Sequence, residues 1–392
     1  MRGSPVPDAA AAGRRPGPDG TAPTADGAPR PGASALATVA GPSAGGESRT
    51  LLERVCRGER GARAPIWIMR QAGRYLPEYR RLRERVDFLT ATKTPDVAAR
   101  ITLQPLERFE LDAAILFSDI MTPLEGMGVP IRFAPGPVID DPVRTPERAR
   151  ALQGLDPEEA TPFVLEALRL VRAELRADAA LIGFAGAPFT LFCYLVEGSG
   201  SKTFMEARSF LRSEPEAAST LLRTLGESMS RYLSAQARAG ADVLMLFDSW
   251  AGLLDVDSYR RFALPVLQGT ISAIKAEVDR PVIYFANGGS SLLEAAWECG
   301  ADVLGVDWTL PLSRAVAELG PEVVLQGNLD PAALFAPRHE LGSAIDAVLA
   351  EGTAAAAHVF NLGHGIHSTT DPDQVAFLVD RVRASPAAGG AA

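Results

Sequence analysis

The sequence predicts an α/β fold, specifically a single (β/α)8 TIM barrel behind a disordered N-terminal extension. Eight short, β-rich apolar runs alternate with amphipathic stretches along the chain. Each run is nearly continuous in apolar residues, as a parallel strand covered on both faces would be. All but the third are followed at once by a side chain able to act on a ligand, which fits strands whose carboxyl ends open on one face. A doubly wound open sheet would alternate in the same way. No G-x-G-x-x-G follows the first run, however, no P-loop lysine motif occurs, and Gly288-Gly289 is a turn signal only.

Residues 1–47 are rich in Ala, Gly, Pro, Ser and Thr without helical or strand period. Such a segment buries too little apolar surface to offset the entropy of ordering, and reads as a disordered leader. No compact apolar h-region is present, and Arg2, Arg14, Arg15 and Arg30 are balanced by Asp8, Asp19, Asp26 and Glu47, unlike an acid-poor transit peptide. The barrel occupies 48–385, and 386–392 form a disordered tail.

Leu51, Leu52 and Val55 at helical spacing predict a short helix leading into the first strand. The predicted strands are Ile66–Met69, Ala113–Phe117, Ala180–Phe184, Asp242–Phe247, Val282–Phe285, Asp302–Val306, Val323–Gln326 and His358–Phe360. Between them Pro162–Arg176, Ser219–Ala239, Ser258–Val278, Ser290–Cys299 and Gly342–Leu349 repeat apolar residues at three and four, the helical period. The strand-end side chains are Arg70, Asp119, Asp248 with Ser249, Asn287, Asp307, Asn328 with Asp330, and Asn361 with His364. One pocket would collect them.

A formal charge of −9 argues against a nucleic-acid partner, which needs a basic surface. An anionic ligand would have to be met by arginines concentrated locally. No apolar run approaches the roughly 20 residues that span a bilayer, so no membrane partner is expected. Cys56, Cys193 and Cys299 are scattered, with neither CxxC nor His-x-Cys spacing, so they read as buried thiols in a reducing, cytoplasmic setting.

Five stretches could carry chemistry. Met69-Arg70-Gln71-Ala72-Gly73-Arg74-Tyr75-Leu76-Pro77-Glu78 leaves a strand for a loop with two arginines around a glycine, which suits anion binding or ordinary salt bridges. Asp112–Ile120 sets Asp119 just beyond an apolar strand, as a helix cap or as a carboxylate that accepts N–H donors and stabilises positive charge. Gly183–Leu191 combines small residues with an apolar wall and leads to Tyr194, which is either a ligand contact or a core tyrosine. Phe247-Asp248-Ser249-Trp250-Ala251-Gly252 offers Ser249, without the G-x-S-x-G elbow of a nucleophile. Asn361-Leu362-Gly363-His364-Gly365-Ile366 sets a histidine between two glycines in a strand-end loop.

From Leu51 to about Arg383 these stretches, in this order, resemble the signatures of the uroporphyrinogen decarboxylase family. The chain departs from the pattern after Ile366, where His367 and Ser368 stand in place of an apolar residue and a proline. The resemblance implies loss of the four acetate carboxyls of uroporphyrinogen III as CO2, giving coproporphyrinogen III, with no cofactor and no metal. It implies a small-molecule tetracyclic polycarboxylate as the partner, and a homodimer. It makes Asp119 the acceptor of pyrrole N–H groups and Arg70 a further catalytic residue and candidate proton donor. It sets Gln71, Ala72, Gly73, Arg74, Tyr194, Ser249 and His364, with Arg70 and Asp119, against the substrate. Corrinoid-dependent methyltransferases of the wider superfamily hold zinc through His and Cys ligands, whose local signal is missing here; a tetrapyrrole-binding protein without activity is the remaining alternative.

Overall fold

The computed structural model describes residues 49–133 and 136–386. The expectations for the leader 1–47 and the tail 386–392 therefore lie outside the described residues, save for Pro386. Seven parallel strands form one curled sheet in the order β1-β4-β5-β6-β7-β8-β9. These are β1 (Ala113–Ile115), β4 (Ala180–Gly186), β5 (Val243–Asp248), β6 (Val282–Ala286), β7 (Val303–Gly305), β8 (Val324–Leu329) and β9 (Ala357–Leu362). The remaining pair, β2 (Arg132–Phe133) and β3 (Pro137–Val138), is a small antiparallel ribbon between β1 and β4. Seven of the expected strands are thus present, with ends that differ from expectation by at most three residues.

The first expected strand, Ile66–Met69, is not a strand but a single parallel bridge, Ile66 to Phe360. Its backbone still meets both neighbours: Phe360 N donates to Pro65 O at 2.9 Å and Asp112 N to Ile66 O at 2.8 Å. A regular ladder fails because side-chain oxygens take its N–H groups. Ile66 N donates to Asp112 Oδ2, Ile68 N to Gln71 Oε1 and Met69 N to Asn361 Oδ1. Asp112 is itself clamped by both Arg63 guanidinium nitrogens, at 2.6 and 2.7 Å. Residues flanking the first and last strands therefore carry bonds that a sheet would usually make.

Two apolar layers follow from strand alternation. Ala113, Ile182, Met245, Ile283, Val303 and Val359 meet inside the curl, where Trp67 and Met69 join them. Leu181, Leu244, Tyr284, Leu325 and Phe360 face outward against the helices, and Ile66 and Ile68 join that set. The segment 66–69 alternates as a strand does. Helices Pro162–Glu174, Pro215–Arg238 and Arg338–Gly352 cover the outer face near their expected positions. The expected helix Ser258–Val278 is instead a π-helical turn, Tyr259–Ala263, running into the α-helix Leu264–Glu277. Within that turn Tyr259 Oη meets Tyr284 Oη, which donates to Asp248 at 2.9 Å.

Candidate active site

The candidate site is the set of side chains at the carboxyl ends of the strands. After Met69 the chain turns sharply: Gln71 N donates to Ile68 O at 2.8 Å, and Arg70 adopts φ +65°, a left-handed conformation rare outside glycine. That turn projects Arg70 into solvent at the mouth, with Arg74 exposed four residues on. The nearby carboxylate Glu78 pairs with Arg108 at 2.8 Å, leaving Arg70 and Arg74 without an ion-pair partner among the described residues. Gln71 behaves differently. Its side chain is wholly buried, accepting from Ile68 N and donating to Ala113 O, so it ties the arginine loop to β1. Ala72 and Gly73 are half-buried, and a Cβ on Gly73 would stand 2.9 Å from Arg70 O.

Asp119 follows β1 and is partly covered. Its Oδ1 accepts from Met121 N at 2.8 Å, bracing the turn that precedes helix Thr122–Gly126, whose N-cap is Met121 and not Asp119. The other oxygen of Asp119 has no protein donor among the described residues, which leaves it for a ligand. Burial pushes its carboxyl up to about 6; the Met121 N–H opposes this, Glu125 adds to it, and Arg70 opposes it more weakly. Tyr194, on helix Pro188–Glu197, packs edge-on against Phe204 at 5.6 Å and Trp250 at 6.2 Å. Burial raises its phenol, with Asp119 and Arg70 close enough to contribute. His364 is half-buried edge-on to Trp308 at 5.9 Å, and burial followed by Arg70 holds it below its usual value. The charge of Arg70 thus contributes to the shifts of Asp119, Tyr194 and His364 alike. Ser249 is half-buried at the end of β5, its carbonyl accepting from Asn287 Nδ2 at 3.3 Å.

The other strand-end side chains are committed to the loops rather than free for a ligand. Asp248 is buried between Thr190 and Tyr284, and burial pushes it up to about 6. Asp307 accepts from Gly288 N and Thr309 N. Asn328 donates to Asp307 O and Leu310 O, and Asp330 caps the turn at Ala332. Asn361 accepts from Met69 N and Leu362 N. A polar residue at a strand end is as often a brace for its loop as a contact for substrate.

Sequence reasoning missed the aromatic floor. Phe184 and Phe247, at the ends of β4 and β5, meet edge-on at 5.6 Å, and both pack on the inner layer while remaining half-exposed. The available signal was their parity: each continues the inward-facing alternation one step past the buried core. An apolar floor edged by Asp119 and cationic at Arg70 suits a flat organic ligand bearing carboxylates. A separate shallow concavity lined by Arg60, Gly352 and His358 among others lies at the opposite, amino end of the strands and holds none of these groups. The three cysteines are buried with their thiols pushed up, Cys299 to about 12. Among the described residues no three His, Cys, Asp or Glu side chains converge as a metal site, and no helix is long and apolar enough to cross a membrane.

A profile of the uroporphyrinogen decarboxylase (URO-D) family matches residues 47–385. The chain belongs to the uroporphyrinogen decarboxylase family. It is 44% identical over 327 residues to the uroporphyrinogen decarboxylase of Trichlorobacter lovleyi, covering 83% of this chain and 96% of that protein. It is 44% identical over 338 residues to that of Chloroflexus aggregans, covering 85% and 95%. Among solved structures, a methyltransferase from Methanosarcina mazei superposes with a TM-score of 0.69 at 22% identity, over 85% of this chain and 97% of that one. At that identity the likeness speaks for the fold alone.

Proposed function

We infer that the protein decarboxylates uroporphyrinogen in tetrapyrrole biosynthesis, as a carboxy-lyase. The observation that carries this is family membership across the whole described domain. The substrate is a polycarboxylated tetrapyrrole. Our finer reading is that uroporphyrinogen III loses its four acetate carboxyls to give coproporphyrinogen III, without a cofactor.

Breaking a C–CO2 bond leaves an electron pair that needs a sink, and a pyrrole can provide it. Protonation at a ring carbon makes an iminium, the neighbouring acetate releases CO2 into it, and a second protonation leaves a methyl. The protein's part is to stabilise the cation, hold the carboxylates and deliver protons. The unpartnered oxygen of Asp119 suits acceptance of pyrrole N–H groups, and its charge offsets the iminium. Arg70 and Arg74, unpaired and exposed at the mouth, suit charge-assisted contacts with carboxylates. Tyr194, Ser249 and His364 position the ring system, with Ala72 and Gly73 allowing its close approach. Gln71 serves the site by fixing the arginine loop to β1. The proton reaching the ring carbon comes through Arg70 or a water beside it. A guanidinium does not deprotonate readily in proteins and so delivers a proton poorly, which favours the water.

We also propose that Ile66–Met69 closes the sheet into an eight-stranded barrel spanning 48–385. Its hydrogen bonds to both neighbours and its alternation between the two apolar layers support that reading. A homodimer joined at the mouth is supported by Trp308, 43% exposed beside His364, and Phe335, 55% exposed beside His367. A cytoplasmic setting is consistent with three unpaired thiols. The functional test is anaerobic incubation of purified protein with uroporphyrinogen III, with CO2 measured and products counted by carboxyl number. Stepwise conversion supports the reading; binding without CO2 release rejects it.

A further inference from the structure

Asn361 is the penultimate residue of β9 and is completely buried, so its amide does not face the mouth. Its Oδ1 accepts two backbone donors, Met69 N at 2.9 Å and Leu362 N at 2.8 Å. Met69 is held from its other side too, because Ile366 N donates to Met69 O at 2.9 Å. The backbone immediately before Arg70 is therefore tied twice to the loop that carries His364. Arg70 itself sits at φ +65°, and its side chain lies against Gly365 of that same loop. A non-glycine residue in this region persists only where its surroundings over-determine it. The paired bonds on Met69 and the contact with Gly365 are that over-determination.

We propose that Asn361 is a positioning residue that holds Arg70 and His364 in one fixed relation, acting through the backbone of Met69 and never through substrate. The working atom is the amide oxygen. Its Nδ2 is buried without a hydrogen-bond partner among the described residues, so the donor half of the side chain makes no hydrogen bond there. An apolar residue of the same size would leave Met69 N and Leu362 N unsatisfied, and the turn that aims Arg70 would relax. This assignment rests on the decarboxylase reading, and deepens it by naming a residue that serves the arginine without touching the ligand.

The test is a double-mutant cycle on uroporphyrinogen decarboxylation, with wild type, Asn361→Ala, Arg70→Ala and the double variant in one anaerobic assay. Asn361→Ala should lower kcat/KM by about 100-fold, the usual cost of a misplaced binding group. In the Arg70→Ala background the same change should cost less than about 3-fold, since the residue it positions is already gone. Losses that multiply in full overturn the assignment. Asn361→Asp keeps the acceptor and exchanges the idle donor for a second oxygen, whose buried charge the N–H groups of Met69 and Leu362 offset, so it should stay within about 5-fold of wild type and restore what alanine loses. A folded Asn361→Asp protein as impaired as the alanine variant also overturns it. Should the alanine variant not fold, the aspartate variant decides alone by the same criterion. Failure of the wild type to release CO2 rejects the functional reading and this assignment with it, whereas turnover with multiplicative losses rejects the assignment only.

Discussion

Arg70 lies directly against the backbone of Gly365: a Cβ on that glycine would stand 2.8 Å from Arg70 Nε and 2.9 Å from its Cγ, and closer still to Cδ. The first and last signatures of the chain, almost three hundred residues apart, are thus in van der Waals contact at the site.

What the added methyl of Gly365→Ala would meet is a flexible, exposed side chain rather than backbone. The fold can absorb the change, but Arg70 cannot keep its place. The thermal midpoint should move by less than about 2 °C, while kcat/KM falls about 10- to 100-fold. Thermal melts and steady-state kinetics on the one variant check both halves.

Gly363, on the other side of His364, gives the opposite expectation. A Cβ there would lie 2.8 Å from Trp308 Cα and closer to Trp308 N, so it strikes backbone. Gly363→Ala should therefore destabilise the protein by about 1–3 kcal/mol, as overpacking does, and denaturant unfolding measures it. The two glycines separate a functional cause from a structural one.

Asp119 links activity to pH. Its carboxyl is raised from 3.8 to about 6, chiefly by burial. If the ionised form supports turnover, kcat/KM should fall tenfold per unit below about pH 6, and Asp119→Asn should remove that limb together with the activity. Stability runs the other way. A group whose folded pKa is raised contributes stability that is present at low pH and lost as pH climbs through about 6. At pH 8 the buried charge costs about 1–3 kcal/mol, less where solvent screens it, so Asp119→Asn should melt later than wild type there and no later at pH 4. An inactive but stabilised variant would mark Asp119 as held charged at a cost to the fold.

His358, at the amino end of β9, supplies a test of acid stability. It is buried with Nε2 2.7 Å from Gly327 O, and burial lowers it from 6.5 to about 4. A depressed histidine contributes stability that is full above pH 6.5 and is lost as pH falls toward 4, by up to about 3 kcal/mol. In His358→Gln the unfolding free energy should vary less across that window. Urea titrations at intervals between pH 7 and 4 give the slope directly.

The sheet was legible because its strands are apolar on both faces, and no other local structure explains such runs bounded by helical periods. The strand Ile66–Met69 was overcalled for a specific reason. Its N–H groups are claimed by Asp112, Gln71 and Asn361, and the first and last of these reach it only through tertiary folding. Arg70, Asp119, Tyr194 and His364 stood out through their motifs, and each lies in a loop or helix that follows the carboxyl end of a strand or of the 66–69 segment. Asp248, Asp307 and Asn328 looked equally available, since a strand-end carboxylate or amide reads alike whether it faces a ligand or braces a loop. Gln71 is the sharpest case: it sits inside the most telling motif, and its side chain never reaches the mouth.

The most direct test of the account compares wild type and Asp119→Asn on uroporphyrinogen III under anaerobic conditions, scoring product carboxyl number beside substrate binding. The account predicts passage from eight to four carboxylates by wild type, and near-normal binding with no conversion by the variant, because an amide can accept a hydrogen bond but cannot offset an iminium charge. Turnover by Asp119→Asn close to that of wild type would contradict it.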